Sequence, residues 1–85
     1  MSAPAVILYT RVGCHLCDVV KGVLDAAQRE RTFTLTIVDI DTDPALVALY
    51  DDEVPVVTIN GRKAFKYRVA PADLHARLDR AEAEG

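Results

Sequence analysis

Leu8–Asp18 reads LYTRVGCHLCD: the end of an apolar run, a glycine, and the only two cysteines of the chain, with two residues between them. The run begins at Ala5, and AVILYT through Thr10 is apolar without alternation, the pattern of a strand buried in the middle of a sheet. Gly13 interrupts it. From there Leu16, Val19, Val20, Val23, Leu24 and Ala27 recur at the spacing of one helical face, in a helix expected to end near Arg31. The cysteines therefore fall where a strand hands over to a helix.

The rest of the chain extends this unit. TFTLTIVDID, residues 32–41, alternates Phe33, Leu35 and Ile37 against Thr34 and Thr36 and reads as a second strand, parallel to the first across a right-handed crossover. Asp43 and Pro44 form a helix start, a capping carboxylate followed by proline at the first helical position, and the short helix runs to Tyr50. Val54 and Pro55 open a third strand, VVTI. Asn60 and Gly61 supply a tight I′ turn, and the return strand is expected from about Lys63 to Tyr67. Pro71 begins a last helix with Leu74, Leu78 and Ala81 on one stripe, and AEAEG is expected to fray. The order β-α-β-α-β-β-α predicts an α/β fold, a four-stranded mixed sheet with helices on its faces. Residues 1–85 are expected to form a single domain.

Composition narrows the function. The chain is 51% hydrophobic and 27% charged, with a formal net charge of -3, and its ten basic residues are scattered. Binding to nucleic acid or anionic lipid begins with clustered Lys and Arg, so neither is an expected partner. The apolar run at Ala5–Tyr9 follows no basic segment and is far shorter than a membrane span of ~20 residues. A cytoplasmic, monomeric protein is expected. In a reducing compartment a cysteine pair is more often catalytic or metal-binding than a structural bridge.

A cysteine at the start of a helix meets unpaired N–H groups and the positive end of the helix dipole, and both stabilise a thiolate. Cys14 occupies that position, and Cys17 lies one turn further on the same face, within reach of it. Cys14 is therefore the expected nucleophile and Cys17 the more buried resolving thiol. Gly13 permits the tight bend, Arg11 can bring a positive charge near the thiolate, and His15 offers another donor; Asp18 opposes them and is expected to face solvent. Val54 and Pro55 are the second element. Pro55 is a candidate for a cis peptide that exposes the backbone of Val54 to an extended substrate; an ordinary trans proline at a strand edge is the bland alternative.

Other chemistries use the same spacing. Cys-x-x-Cys is also half of a zinc site, but a structural zinc needs four ligands and only His15 and His75 remain as candidates. An iron–sulfur cluster would need thiolates from outside the chain. A metal or iron–sulfur binding module using Cys14, an inert cysteine pair, and a fold kept only for protein binding stay as alternatives. Tyr9 is expected to pack in the core, His75 to have no role, and Asp39, Asp41 and Asp43 to serve a strand end and a helix cap rather than a cation.

LYTRVGCHLCD, DIDTD, VPVVTINGR and the final amphipathic helix together resemble the glutaredoxin-like branch of the thioredoxin superfamily, over roughly Val6 to Leu78. The resemblance implies a thioredoxin fold and thiol–disulfide oxidoreductase activity, with Cys14 and Cys17 as the redox pair. It aligns Pro55 with the family's cis-proline and Arg11 with the basic residue before many glutaredoxin active sites. It also implies a disulfide-containing protein or small molecule as substrate, and glutathione or a thioredoxin-reductase-type partner as reductant, without a resident cofactor or metal. The sequence departs from the family in three places. His15 and Leu16 stand where glutaredoxins usually carry proline and an aromatic; KYRVAPAD has no glycine where they carry a Gly-Gly turn that holds glutathione; and no Trp precedes the first cysteine as in thioredoxins. The nearest match is the group of small glutaredoxin-like proteins with a Cys-x-Leu-Cys motif.

Overall fold

The computed structural model describes residues 3–84. Its elements are β1 (Ala5–Thr10), α1 (His15–Gln28), β2 (Thr34–Asp39), a 3-10 turn (Ile40–Thr42), α2 (Pro44–Tyr50), β3 (Val56–Ile59), β4 (Arg62–Lys66) and α3 (Pro71–Glu84). The strands form one four-stranded sheet in the order β2-β1-β3-β4, with β1 and β2 parallel and the other pairs antiparallel. The mixed sheet expected from the element order is the one observed. Asn60 and Gly61 take φ values of 51° and 81°, the left-handed pair that a I′ hairpin turn requires.

The main core lies on one face of the sheet. Val6 and Leu8 of β1 and Val57 and Ile59 of β3 pack there against Val20 and Leu24 of α1 and Leu74 and Leu78 of α3. Each fully buried leucine contributes about 1.5–3 kcal/mol relative to exposure, so the alignment of α1 and α3 on this face is the main apolar term. The opposite face carries lighter cover. The Tyr9 ring sits 4.7 Å from that of Tyr50 in α2, and Ile40 is buried in the preceding turn. Tyr9 packs, as its strand position predicts.

Four details differ from the sequence reading. The buried arc of α1 is Cys17, Val20, Leu24 and Ala27, while Leu16 and Val19 are exposed at 38% and 51%. The eight apolar positions on α1 span a wider arc than the sheet and α3 cover. That helix also stops at Gln28 rather than Arg31: the N–H groups of Arg29 and Glu30 fall back on the carbonyls of Ala26 and Ala27. Arg31, released from the helix, ties to Asp79 and Glu82 of α3 at 2.8 and 2.7 Å. Third, β4 begins at Arg62 and the pairing skips a residue between Val57 and Thr58, a bulge that sequence alternation does not signal. Finally, α3 continues to Glu84 where fraying was expected, because Ala81 is buried in the core and Glu82 and Glu84 face Arg31 and Arg62. Gly85 lies outside the described residues.

No helix among the described residues is long and apolar enough to cross a membrane.

Candidate functional site

The sheet topology collects one end of each strand. Thr10 at the end of β1 lies opposite Asp39 at the end of β2, and Tyr9 lies opposite Val56 at the start of β3. The residues that follow Thr10, follow Asp39 and precede Val56 therefore share one end of the molecule. These are the Cys14 turn, the 3-10 turn, and Val54 with Pro55.

The Cys14 turn is built from its backbone. Cys14 donates its N–H to the Arg11 carbonyl at 3.2 Å, and Gly13 has a φ of +81°. A type II turn puts that value at its third residue, where glycine adopts it without strain. A Cβ at Gly13 would meet nothing within 4 Å, so conformation and not space selects glycine. Cys14 is thereby delivered as the N-cap of α1, in extended conformation, and its Sγ accepts the N–H of Cys17 at 3.1 Å. Position within the helix then fixes Cys17. It is 2% exposed, its Cα lies 5.2 Å from that of Cys14, and the two sulfurs are joined as a disulfide. Cys14 itself is half-buried, while His15 and Asp18 on either side of Cys17 in the chain are exposed.

The peptide between Val54 and Pro55 is cis, and Pro55 is buried. The segment is secured from both sides: the Tyr67 N–H donates to the Pro55 carbonyl at 2.8 Å, and Glu53 forms an ion pair with Lys63 of β4. The Lys63 ammonium holds the Glu53 carboxyl below its usual range. Tyr67 adopts a φ of +68°. The backbone thus enters the left-handed region in the very stretch, KYRVAPAD, that lacks glycine.

Arg11 is occupied. Its guanidinium bonds to Asp41 at 2.8 Å and to Asp51 at 2.7 Å, bridging the end of β1 to the 3-10 turn and to the C-terminal cap of α2. The same bonds hold the guanidinium protonated and draw the Asp41 carboxyl below its usual range. Reading along the chain gave this arginine to the thiolate and missed both carboxylates, since nothing local links positions 11, 41 and 51. Asp39 and Asp43 do act as caps, accepting the N–H of Asp41 and of Ala45 at 2.9 Å. His75 contacts Glu30 at 3.1 Å, on α3 and away from this end.

An apolar rim surrounds the cysteines. Val12 is 86% exposed, and Leu16 and Ile37 stand in solvent beside it. A groove lined by Val12, Cys17, Asp18, Lys21, Ile37 and Asp39 runs between the first turn of α1 and β2. Ile37 was expected to face inward by strand alternation; it is exposed because β2 is an edge strand and α1 does not reach over it. Only the strand order, invisible in local pattern, reveals this side of the groove. Among the described residues no group of three or more His, Cys, Asp or Glu side chains converges as a metal site.

A mixed sheet of this order, with a Cys-x-x-Cys turn heading its first helix and a cis-proline at the same end, defines a small thioredoxin-fold protein with a dithiol pair. The comparisons with known proteins agree, and the chain belongs to the glutaredoxin-like family: the model of the Glutaredoxin-like domain (DUF836) matches residues 5–79. It is 34% identical to uncharacterised proteins of Mycobacterium tuberculosis and Mycobacterium bovis, over 95% of this chain and 89% of theirs. Among solved structures, a Nitrosomonas europaea protein is 29% identical with a TM-score of 0.80, covering 92% of this chain and 94% of that one. A protein from X. campestris is 36% identical with a TM-score of 0.73, covering 88% and 96%. The Cys14–Cys17 pair and the family together fit a redox role.

Proposed function

We infer that the protein is a thiol–disulfide oxidoreductase that reduces disulfides through Cys14 and Cys17. The observation that carries this reading is the position of Cys14 at the helix N-cap, its sulfur accepting the Cys17 N–H while the Cys17 sulfur lies buried within bonding reach. In the reduced protein the Cys14 thiolate attacks one sulfur of a substrate disulfide. The S–S bond breaks, the departing sulfur leaves as a thiolate and takes a proton from water, and a mixed disulfide joins Cys14 to the substrate. Cys17, having lost its proton, then attacks the Cys14 sulfur and expels the second substrate thiolate. Two electrons have passed to the substrate, and the protein holds the Cys14–Cys17 disulfide seen in the structure.

The surroundings support a polypeptide disulfide as substrate. Val12, Leu16 and Ile37 offer apolar contact, and among the described residues no main-chain partner is found for Val54, whose backbone is then free to pair with an extended segment. His15 is exposed next to the nucleophile and serves as a polar contact to the same segment. Arg11 acts by holding the turn, its charge already balanced by Asp41 and Asp51. The oxidised pair is returned to dithiol by glutathione or by a thioredoxin-reductase-type protein, in the reducing cytoplasm, with the chain acting as a monomer.

Trapping is the test. Cys14→Ser is expected to abolish reduction of a protein disulfide, and Cys17→Ser to accumulate a mixed disulfide through Cys14, resolved by mass spectrometry. Equal turnover by wild type and Cys14→Ser overturns the assignment.

A further inference from the structure

A second cleft lies at the end of the molecule opposite the cysteines. It opens between the β3–β4 turn and the C-terminal half of α3, has a volume of about 340 Å³, and is lined by Asn60, Arg62, Arg77, Arg80 and Glu84 over a floor that includes Ile59. Ile59 pairs with Val6 and the Asn60 N–H reaches the Ala5 carbonyl at 2.8 Å, so the cleft adjoins the start of β1. The dithiol turn follows the other end of that strand, roughly 17 Å away at a rise of about 3.3 Å per residue.

The cleft inverts the charge of the chain. Three guanidiniums and a single carboxylate line it, in a protein whose formal net charge is -3. Among the described residues neither Arg77 nor Arg80 forms an ion pair, and the contact of Arg62 with Glu84 is long at 3.7 Å. Arg77 lies over the Phe65 ring, 5.8 Å from its centre, which restricts the side chain without using its hydrogen-bond donors. The Asn60 Oδ1 accepts the Ala5 N–H at 2.9 Å. That bond fixes the amide and leaves its Nδ2 hydrogens for another acceptor. Planar guanidinium forks and an oriented amide form a donor set with too few acceptors, and such a set matches the oxygens of a multivalent oxyanion. The volume exceeds that of a bare ion and falls at the lower end of the roughly 300–1,000 Å³ of small-molecule sites.

We propose that this cleft binds a small phosphate-bearing anion, independently of the dithiol. Arg77 and Arg80 grip the phosphate oxygens, Arg62 exchanges Glu84 for the ligand, and Asn60 orients it from the turn. The site does not depend on the redox reading, and the test separates the two.

Inorganic pyrophosphate is the probe, titrated into the full chain and followed by backbone amide shifts. Saturating shifts are expected at Asn60, Gly61 and Arg77–Ala81. Arg77→Gln combined with Arg80→Gln should weaken binding at least about tenfold, since two charge-assisted contacts are lost; Arg77→Lys, which keeps the charge without the fork, should weaken it less. Cys14→Ser should bind with unchanged affinity, and the double arginine variant should reduce disulfides as wild type does. Shifts that fail to saturate or spread equally to Lys21 and Lys66, or an affinity unchanged in the double variant, overturn the proposal.

Discussion

The geometry at Cys14 fixes the direction of a quantity that can be measured, the acidity of its thiol in the reduced protein. In Cys17→Ser the only thiol is Cys14, and the backbone N–H that its sulfur accepts at 3.1 Å is retained. A hydrogen bond to a charged acceptor contributes about 1.5–3 kcal/mol, and the end of a helix dipole adds about 0.3–1 kcal/mol. Both favour the thiolate over the thiol, so they act in the same direction on its acidity. Asp18, an acidic residue in the first turn of α1, opposes them. Cys14 is expected to titrate below the ordinary thiol range. The assay is the pH dependence of iodoacetamide alkylation, checked against ultraviolet thiolate absorbance. Arg11→Ala should leave the midpoint nearly where it is in the parent, because Asp41 and Asp51 already balance that charge. A Cys14 midpoint at or above the ordinary thiol value would refute the capping argument, and a large shift in Arg11→Ala would show that the guanidinium acts on the sulfur after all.

Three further outcomes follow from the packing and the ion pairs. Arg11 depresses the Asp41 carboxyl, so the stability this contact adds is present above the ordinary aspartate range and is lost as pH falls through the lowered folded value; urea denaturation across the acid range should show a flatter pH dependence in Arg11→Ala than in wild type, and identical slopes would remove the clamp from the account. Leu24→Ala empties a site with no solvent exposure where α1 meets the sheet and should destabilise by about 2–5 kcal/mol, read as a lower urea midpoint at unchanged slope; a loss under about 1 kcal/mol would mean that α1 is not seated as described. Tyr67→Val places a β-branched residue at a φ of +68° and should cost about 1–2 kcal/mol in thermal or urea unfolding, whereas Tyr67→Gly should be tolerated; equal behaviour of the two variants would argue against the left-handed turn.

Local patterns carried much of this architecture. The unbroken run at Ala5–Thr10, the Asn60–Gly61 turn and the prolines at positions 44 and 71 each act through backbone or burial physics that spans only a few residues, and the structure places elements where they indicate. Cys14 was legible for the same reason, since a strand end, a glycine and a helix start are all neighbours in sequence. What escaped was set by partners far away in the chain. Ile37 and Leu35 alternate as an inward-facing pair, yet only the strand order makes β2 an edge and leaves Ile37 uncovered. Leu16 and Val19 share the helical spacing of the core residues, and which part of that arc is buried depends on where α3 docks. Arg11 was expected near the sulfur because both were close in sequence; its carboxylate partners could be found only by folding the chain.

Those partners also set when the site exists. Asp41 and Asp51 lie 30 and 40 residues beyond Arg11, and Val56, which pairs with the end of β1, comes later still. As the chain emerges from the ribosome, the cysteines appear long before the distant partners that tie their turn to the rest of the fold. The Arg11 clamp and the β1–β3 pairing form only once α2 and β3 have been synthesised and docked, so the nascent chain passes through a period in which the dithiol turn is held by its local bonds alone. Premature oxidation or alkylation in that interval would strike both cysteines alike, whereas the finished protein presents one and shelters the other.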